Sequence, residues 1–386
     1  MNAIRSVLCA LALASSTLLA QQAPMPNPFT TLMVKATAHA DAHHNTGRPV
    51  LSPYYSTVLN GDVNMDELHA HNIRVVVWTP DSADTMRTLI EKFHVDGIIT
   101  DDPEMLMSLL AQLRTEAKGD PAKLHALDIF ESSAHRGGRA DRPENTIPSF
   151  ENGIDSGVSV LETDTYVTTD GVSAIWHDAY YTPHTCRRVD GAPYTMDNLV
   201  YIHDLSMAEA VKTFVCDKTA YSAKGTGGKA PDDFGGKQTS DLSLSPVSVA
   251  FAKKEGMPSP YSPTNAAQLF RFMKFYEWYY AKGPGKNSPL AKQRAAHGAR
   301  VRVAPETKIE PPEMEKHGQA TAQQFVDALG GAIRSEHMEG RAEIQSFYYP
   351  TLLLFQEQFP MLSTYYLTAT PKMLEMQSMP AELKVK

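Results

Sequence analysis

The chain has few cysteines, no excess of basic residues and none of several common catalytic motifs, and each shortage excludes a class of protein. It contains 386 residues but only three cysteines. No H-E-x-x-H, G-x-S-x-G or C-x-x-C motif occurs, so zincin, serine-hydrolase and thioredoxin-like chemistry have no support. Acidic residues (44) outnumber lysine and arginine (36), and the net charge is −8. A mildly acidic chain without a basic cluster is not built to bind nucleic acid.

Long apolar runs are also scarce, and the one that approaches membrane-spanning length is at the N-terminus. Residues 1–20 combine a basic Arg5 with an apolar stretch that ends at Ala20. This pattern is typical of a secretory signal and is too short for a convincing transmembrane helix. We therefore expect an exported protein, periplasmic or secreted, without stable membrane insertion.

Removal of the signal would leave two cysteines, Cys186 and Cys216. In an oxidising compartment such a pair is either a disulfide or two unrelated thiols, and the disulfide is the favoured interpretation. Residues 21–50 are predicted to be a leader or linker. Within it His39 and His43 could share a helix face and bind a transition metal. A solvated polar linker is the favoured interpretation, because no apolar residues support this stretch.

The most informative stretch, residues 134–178, collects acidic, basic and imidazole side chains. Glu162 and Asp164 lie two apart in a predicted strand, so both carboxylates point to one side. Two acids on one side repel each other unless a cation lies between them, and a hard divalent cation is the usual solution. His135 and His177 flank the pair and suit proton transfer at neutral pH. Arg136 adds a guanidinium that fits a phosphate, which completes the residue types of a phosphodiesterase site.

The ordered motifs in and beyond this stretch resemble those of glycerophosphodiester phosphodiesterases. The matching segments are HRG (135–137), PENT (143–146), E-x-D (162–164), T-x-DG (168–171), HD (177–178), APETK (304–308) and IQSF (344–347). The resemblance implies that Glu162, Asp164 and Glu306 hold one divalent cation, Ca²⁺ or Mg²⁺. It also implies that His135 and His177 are the acid/base pair.

Three further residues are expected at the phosphate or substrate. The resemblance places Arg136 and Lys308 near the phosphate. Trp78 ends a predicted strand at the barrel mouth, where it either lines the substrate pocket or packs in the core. Glu144 and Asn145 of PENT either join the site or cap the next helix, and the structural role is favoured.

The activity that this resemblance implies is hydrolysis of a small-molecule glycerophosphodiester to an alcohol and sn-glycerol 3-phosphate. Attack on phosphorus would come from water or from a neighbouring substrate hydroxyl. A rival enzyme is a phospholipase-D-like member of the same superfamily that acts on lysophospholipid or sphingomyelin. A rival of another class is a non-catalytic binding protein on a decayed barrel.

The fold implied is a TIM (β/α)₈ barrel whose motifs occur in circularly permuted order. Two strand-to-helix units, IRVVVWTP and VDGIITDDP, resemble the family's last two strands but come first, within residues 51–117. Six further strands are expected within 127–370, and AIWHD is counted as the third of them. Residues 371–386 are expected to be a C-terminal tail. In a closed barrel the last strand pairs with the first in any case, so permutation is physically cheap. We therefore expect GIITD (97–101) to pair with the strand that ends at His135. We expect VVVWT to pair with GIITD on one side and with the strand that contains Tyr365 on the other.

A large insertion is expected at about 179–300, after the third strand. Its Gly/Lys/Asp-rich stretch, 223–241, lacks P-loop spacing and is interpreted as a loop. The segment that follows, 265–283, has helical periodicity and an aromatic cluster. Packing of this helix on the barrel is favoured over a lid above the substrate.

Overall fold

The computed structural model describes residues 27–219 and 237–385. The predicted signal, residues 1–20, lies outside the described residues, as does most of the Gly/Lys/Asp-rich stretch. In the described part of the chain no helix is long and apolar enough to cross a bilayer.

The described chain contains eleven strands and thirteen α-helices. The strands are β1 (Pro49–Pro53), β2 (Arg74–Trp78), β3 (Gly97–Thr100), β4 (Glu131–Ala134), β5 (Val160–Val167), β6 (Ser173–Ile175), β7 (Arg187–Arg188), β8 (Phe214–Val215), β9 (Arg302–Thr307), β10 (Ile344–Ser346) and β11 (Thr364–Thr368). The helices are α1 (Pro28–Ala42), α2 (Tyr55–Leu59), α3 (Met65–Ala70), α4 (Ala83–Glu91), α5 (Pro103–Glu116), α6 (Pro121–Ile129), α7 (Ile147–Ser156), α8 (Met207–Thr213), α9 (Pro246–Glu255), α10 (Ala266–Ala281), α11 (Ala291–Gly298), α12 (Ala322–Ser335) and α13 (Tyr349–Gln358).

Eight of the strands form a closed parallel barrel. All strands except β6, β7 and β8 take part, and each barrel strand pairs with the next barrel strand along the chain. The last strand, β11, pairs with β1, so the barrel has no free edge. The predicted TIM barrel is therefore confirmed, with helices around the outside.

Side chains alternate between the barrel interior and the helix layer, because successive residues of a strand point to opposite faces. On β2, Val75 and Val77 join the large apolar core beneath the helices. Val76 and Trp78 belong instead to a small cluster inside the barrel. Alternate residues along one strand therefore line the barrel interior from one end to the other.

The N-terminal ends of the strands carry a polar group that we call the floor cluster: Arg74, Glu131, Arg302, Glu343 and Tyr365. Of these, Glu131, Glu343 and Tyr365 are buried. Arg74 and Arg302 both bind the Glu131 carboxylate, at 2.9 and 3.0 Å. Arg302 also pairs with Glu343. The Tyr365 hydroxyl lies 2.9 Å from Glu131 and 3.0 Å from Glu343. Both carboxylates thus have cationic and hydrogen-bond partners from the protein itself.

The N-terminal segment corrects one prediction. Residues 28–53 are part of the barrel, and the interpretation of 21–50 as a leader or linker is wrong for them. Helix α1 begins after Asn27, whose side chain accepts from the Phe29 N–H. Its buried residues Phe29, Leu32, Met33 and Ala36 follow a helical spacing and join the main core. The tail also contributes, since Leu374, Met379 and Leu383 pack into the same core.

Strand β1 is the barrel strand that the sequence analysis missed. Its segment, PVLSP, has proline at both ends, a composition that argues against a central strand. Nevertheless it lies between β2 and β11, so the expected direct pairing of the VVVWT strand with the Tyr365 strand is wrong. The expected pairing of GIITD with the strand before His135 is confirmed.

The strand counted third, AIWHD, is not a barrel strand. As β6 it pairs antiparallel with β5, with Thr165 opposite Ile175 and Val167 opposite Ser173. The turn between them contains Asp170 and Gly171, and Gly171 has φ 74°. An Asp-Gly pair between two strands is a strong hairpin signal. The insertion therefore follows the second barrel strand of the motif order and separates β5 from β9.

Helices α9 to α11 of the insertion pack on the outside of the barrel. Five of the seven aromatic residues of α10 are buried: Phe270, Phe272, Phe275, Tyr276 and Tyr280. They belong to the main apolar core, and α10 contacts α9, α11 and α12. This agrees with packing, and not with a lid. Elsewhere in the insertion, Cys186 and Cys216 are joined by a disulfide beside the small β7–β8 pairing.

Candidate active site

A cavity of about 370 Å³ opens at the C-terminal ends of the barrel strands. This is the end at which TIM barrels carry their sites. The cavity brings together every predicted catalytic or substrate-binding residue and two of the three predicted metal ligands. It is lined by Trp78, Thr79, Ile99, Asp101, His135, Arg136, Arg139, Glu162, His177, Glu306, Lys308, Gln345, Phe347 and Leu367.

The third predicted ligand, Asp164, is buried directly beside the cavity. It lies opposite Glu306 in the β5–β9 register, and Glu162 is two residues earlier on β5. Oxygen atoms of the three carboxylates all lie within 4.8 Å of one another. Strand alternation thus brings the three acids to one point, as the period of the E-x-D motif predicts.

Hydrogen bonds hold these carboxylates in place. Glu162 accepts from the Gln345 amide at 2.6 Å and from the Arg136 backbone N–H at 2.7 Å. Asp164 accepts from the Asn145 amide at 2.8 Å through Oδ2. Its Oδ1, although buried, accepts no hydrogen bond from any described residue. Oxygen donors in this arrangement suit a hard divalent cation, so the group is a possible metal site.

Burial of three carboxylates close together shifts the pKa of each of them. Burial, together with the Asp164 charge, raises the pKa of Glu162 well above its ordinary value. Burial likewise raises the pKa of Glu306 to about 7, although Lys308 opposes the shift. Burial would also raise the pKa of Asp164, but the permanent positive charges of Arg136 and Lys308 hold it below its usual range. A proton or a cation is therefore needed to stabilise the group at neutral pH.

Both predicted acid/base histidines reach the cavity, and each is oriented by a carboxylate. His135 follows β4, and its Nδ1 is hydrogen-bonded to Asp101. The Nδ1 of His177 lies 2.8 Å from Asp178, whose other oxygen accepts from Thr182 at 2.6 Å. A carboxylate at Nδ1 favours a proton there and leaves Nε2 for the cavity.

His177 is suited to remain neutral. About 32% of its side chain is exposed to the cavity. Burial of the ring in the cavity wall nevertheless lowers the pKa of His177 well below the ordinary histidine value. The positive charges of Arg136 and Lys308 act in the same direction. A neutral imidazole can accept a proton at pH 7.

The PENT motif braces the predicted phosphate-binding arginine. Arg136 has φ 51°, and its guanidinium lies 3.0 Å from Glu144 and 3.4 Å from Asp164. Glu144 also pairs with Arg139 at 2.9 Å. The expected capping role of Glu144 and Asn145 is wrong, because Thr146 caps α7. Instead, the two side chains hold site residues in place: Glu144 binds Arg136, and Asn145 donates to Asp164.

Ion pairs join these groups into one network, which we call the mouth cluster. Its carboxylates are Asp101, Glu144, Glu162, Asp164 and Glu306, its permanent cations are Arg136, Arg139 and Lys308, and it contains His135. Five carboxylates therefore face three cations. When all five are ionised, these carboxylates exceed the three permanent cations of the described cluster by two charges, which matches the charge of one divalent ion.

An aromatic wall lies on one side of the cavity. The Trp78 ring packs 5.0 Å from Tyr54 and 5.5 Å from Phe347, and its Nε1 donates to the Ser52 carbonyl. Trp78 therefore both packs and lines the cavity. Sequence analysis gave no role to Arg139, which pairs with Asp101 on the loop after β3. Its only signal was its position close after HRG.

Comparison with known proteins identifies the family of this barrel. The model of the glycerophosphoryl diester phosphodiesterase family matches residues 1–105 and 135–385. The chain belongs to this family.

Solved structures with similar folds carry related descriptions. One is a putative glycerophosphoryl diester phosphodiesterase of Silicibacter pomeroyi DSS-3, 20% identical, with 65% of this chain and 66% of that chain covered and a TM-score of 0.43. Another is an Oleispira antarctica phosphodiesterase in complex with the product sn-glycerol-3-phosphate, 16% identical, with 61% and 65% covered and a TM-score of 0.35. The uncharacterised protein YqiK of Bacillus subtilis is 44% identical over 45 residues, which are 12% of this chain and 18% of that protein.

Proposed function

We propose that the protein hydrolyses glycerophosphodiesters to an alcohol and sn-glycerol 3-phosphate, and that it requires one divalent cation, Mg²⁺ or Ca²⁺. The observation that carries the proposal is the meeting of three buried carboxylates and two carboxylate-oriented histidines at one cavity. Family membership and a solved relative with sn-glycerol-3-phosphate support the same substrate class.

Glu162, Asp164 and Glu306 would hold the cation, which supplies positive charge to the phosphoryl oxygens when bound. Their fit to a cation rests on their burial, their mutual distance and the Asp164 Oδ1 atom, which accepts no hydrogen bond from the described residues. Lys308, 2.9 Å from Glu306, adds a fixed positive charge at the same side of the cavity.

The two histidines would carry the proton transfers. One accepts the proton of the attacking hydroxyl, from water or from the substrate's own neighbouring group, and the other protonates the leaving alkoxide. Asp101 and Asp178 keep the rings in the tautomer that presents Nε2. Overall, one water is consumed, one P–O bond breaks, and the alcohol leaves with a proton.

The direct test compares two substrates that share a head group. Purified enzyme should release product from glycerophosphocholine in the presence of Mg²⁺ or Ca²⁺, lose this activity in EDTA and regain it when metal is restored. Activity on lysophosphatidylcholine alone would favour the phospholipase-D-like alternative. Folded protein without metal-dependent turnover of any phosphodiester would favour the non-catalytic binding protein.

We also propose that the protein is exported. The pattern of residues 1–20 and the Cys186–Cys216 disulfide support this location. Fractionation of cells that express the full chain should place the enzyme outside the cytoplasm, without its first 20 residues. Retention of an uncleaved chain in the cytoplasm would contradict it.

A further inference from the structure

A second cluster of metal-binding residue types lies at the opposite end of the barrel from the cavity. His39 is in the last turn of α1 and His43 follows four residues later as its C-cap residue. Glu357 is in the last turn of α13. One donor atom from each residue lies within 4.8 Å of the others, and His39 Nε2 is 3.5 Å from the Glu357 carboxylate. Because α1 leads into β1 and α13 into β11, this cluster is at the N-terminal end of the strands.

The protein fixes the orientation of the His39 ring. Its Nδ1 lies 2.8 Å from Oε1 of Gln356, a residue that is only 1% exposed. The Gln356 amide nitrogen donates to Thr364 and to Tyr366. The amide oxygen therefore faces His39, so in the neutral ring Nδ1 carries the proton and Nε2 keeps its lone pair. A carbonyl on the far nitrogen is the usual support of a metal-binding histidine.

This orientation points the Nε2 lone pair of His39 at the carboxylate of Glu357. An Nε2 lone pair and a carboxylate oxygen 3.5 Å apart repel each other unless a proton or a metal cation lies between them. The ends of α1 and α13 strengthen this demand, since the C-terminal turn of a helix carries partial negative charge and favours cations. The nearby His43 ring, with its centroid 4.6 Å from that of His39, supplies a third donor.

We propose that His39, His43 and Glu357 form a second metal site, selective for a borderline transition metal such as Zn²⁺, that clamps α1 to α13. Two imidazoles and one carboxylate form a donor set typical of Zn²⁺, with water as the fourth ligand. The all-carboxylate group at the cavity instead suits Mg²⁺ or Ca²⁺. The bound ion cross-links the N-terminal helix to the last helix of the barrel. This segment is the one that sequence composition assigned to a solvated linker.

The test measures Zn²⁺ binding by metal-free full-length enzyme in excess Mg²⁺, which is present to occupy the carboxylate group. We expect one Zn²⁺ per chain by calorimetry and a rise of a few degrees in Tm. His43→Ala should weaken Zn²⁺ binding at least ~10-fold and remove the Tm rise, while Mg²⁺-supported activity stays unchanged. Because His43 is exposed, this variant should fold.

Two control variants test whether Zn²⁺ binds at the proposed second site rather than at another histidine or at the cavity. His44→Asn removes the neighbouring imidazole and suits the left-handed φ of 58° at that position. Glu162→Gln alters the cavity group. Both variants should keep the Zn²⁺ affinity of the wild type. Wild-type enzyme that binds no Zn²⁺ in excess Mg²⁺, or a His43→Ala variant with unchanged affinity, would overturn the proposal and leave a plain His39–Glu357 ion pair.

Discussion

The two ends of the barrel interior solve the same electrostatic problem in different ways. At the floor, two carboxylates meet two guanidinium groups, and a tyrosine hydroxyl lies between them. At the mouth, five carboxylates meet three cations, and Asp164 Oδ1 accepts no hydrogen bond from the described residues. The same strands build both ends, since β4 runs from Glu131 to the residue before His135 and β9 runs from Arg302 past Glu306. Complete compensation marks a structural cluster, and an excess of two negative charges marks a site for something further.

The sharpest test of this difference compares one substitution at the mouth, Glu162→Gln, with one at the floor, Glu131→Gln. Glu162→Gln removes a proposed metal ligand, so turnover should fall to background and Mg²⁺ should no longer raise Tm. The metal-free stability should hardly change, because burial already favours the neutral form of Glu162 through its raised pKa. Steady-state assays and thermal melts with and without Mg²⁺ check both outcomes. Near-normal turnover would refute the ligand role.

His177→Ala should lower kcat by ~10²–10⁴-fold, since one proton transfer is lost. The carboxylate group remains, so metal binding measured by calorimetry should persist. His135→Ala should behave in the same way. His203→Ala, which changes a histidine outside the mouth cluster, is the matched control. Wild-type rates in both active-site variants would exclude acid/base roles for these histidines.

Glu131→Gln is the matched substitution at the floor and should have the opposite profile. It leaves Arg74 and Arg302 without their shared carboxylate. Because both arginines are partly exposed, the loss should stay below the about 3–5 kcal/mol of a fully buried ion pair. Denaturant unfolding should show this loss, while kcat of the folded fraction stays within about twofold of the wild type. Loss of turnover without loss of stability would mean that the two ends are coupled.

Changes of pH should separate the two clusters more gently. Burial raises the pKa of both Glu306 and Glu343 to about 7, with Asp164 and Glu131 respectively adding to the shift. A raised folded-state pKa means that the folded protein holds the extra proton. The stability that these groups contribute is therefore complete below pH 4.5 and is lost as the pH rises through about 7.

In metal-free protein each group lowers the free energy of unfolding by up to about 1.4 kcal/mol per pH unit between those limits. Saturating Mg²⁺ should remove the contribution of Glu306 and leave that of Glu343. Denaturant melts from pH 5 to 8, with and without Mg²⁺, check this. An Mg²⁺ effect on stability that does not grow with pH would contradict the comparison.

The site was more predictable from sequence than the barrel that carries it. The E-x-D spacing fixes two carboxylates on one strand face, and HRG, HD and APETK are local motifs whose residues keep their neighbours when the chain folds. The pairing of Arg139 with Asp101 joins separate elements, so no local pattern contains it. Strand β1 escaped notice because its prolines resemble a loop, and α1 because polar histidines conceal its apolar face. The circular permutation stays a prediction.

The hydrogen bond between Arg48 and Ser363, 315 residues apart in sequence, sits where the first barrel strand meets the last. Contacts between residues so far apart in sequence form late, because the entropy cost of closing a long loop comes before the stabilisation that the contacts provide. A nascent chain that has not yet emerged to β11 therefore keeps β1 unpaired on one side and the barrel open. The export proposed above would benefit from this delay, because the native state becomes accessible only when nearly the whole chain is available.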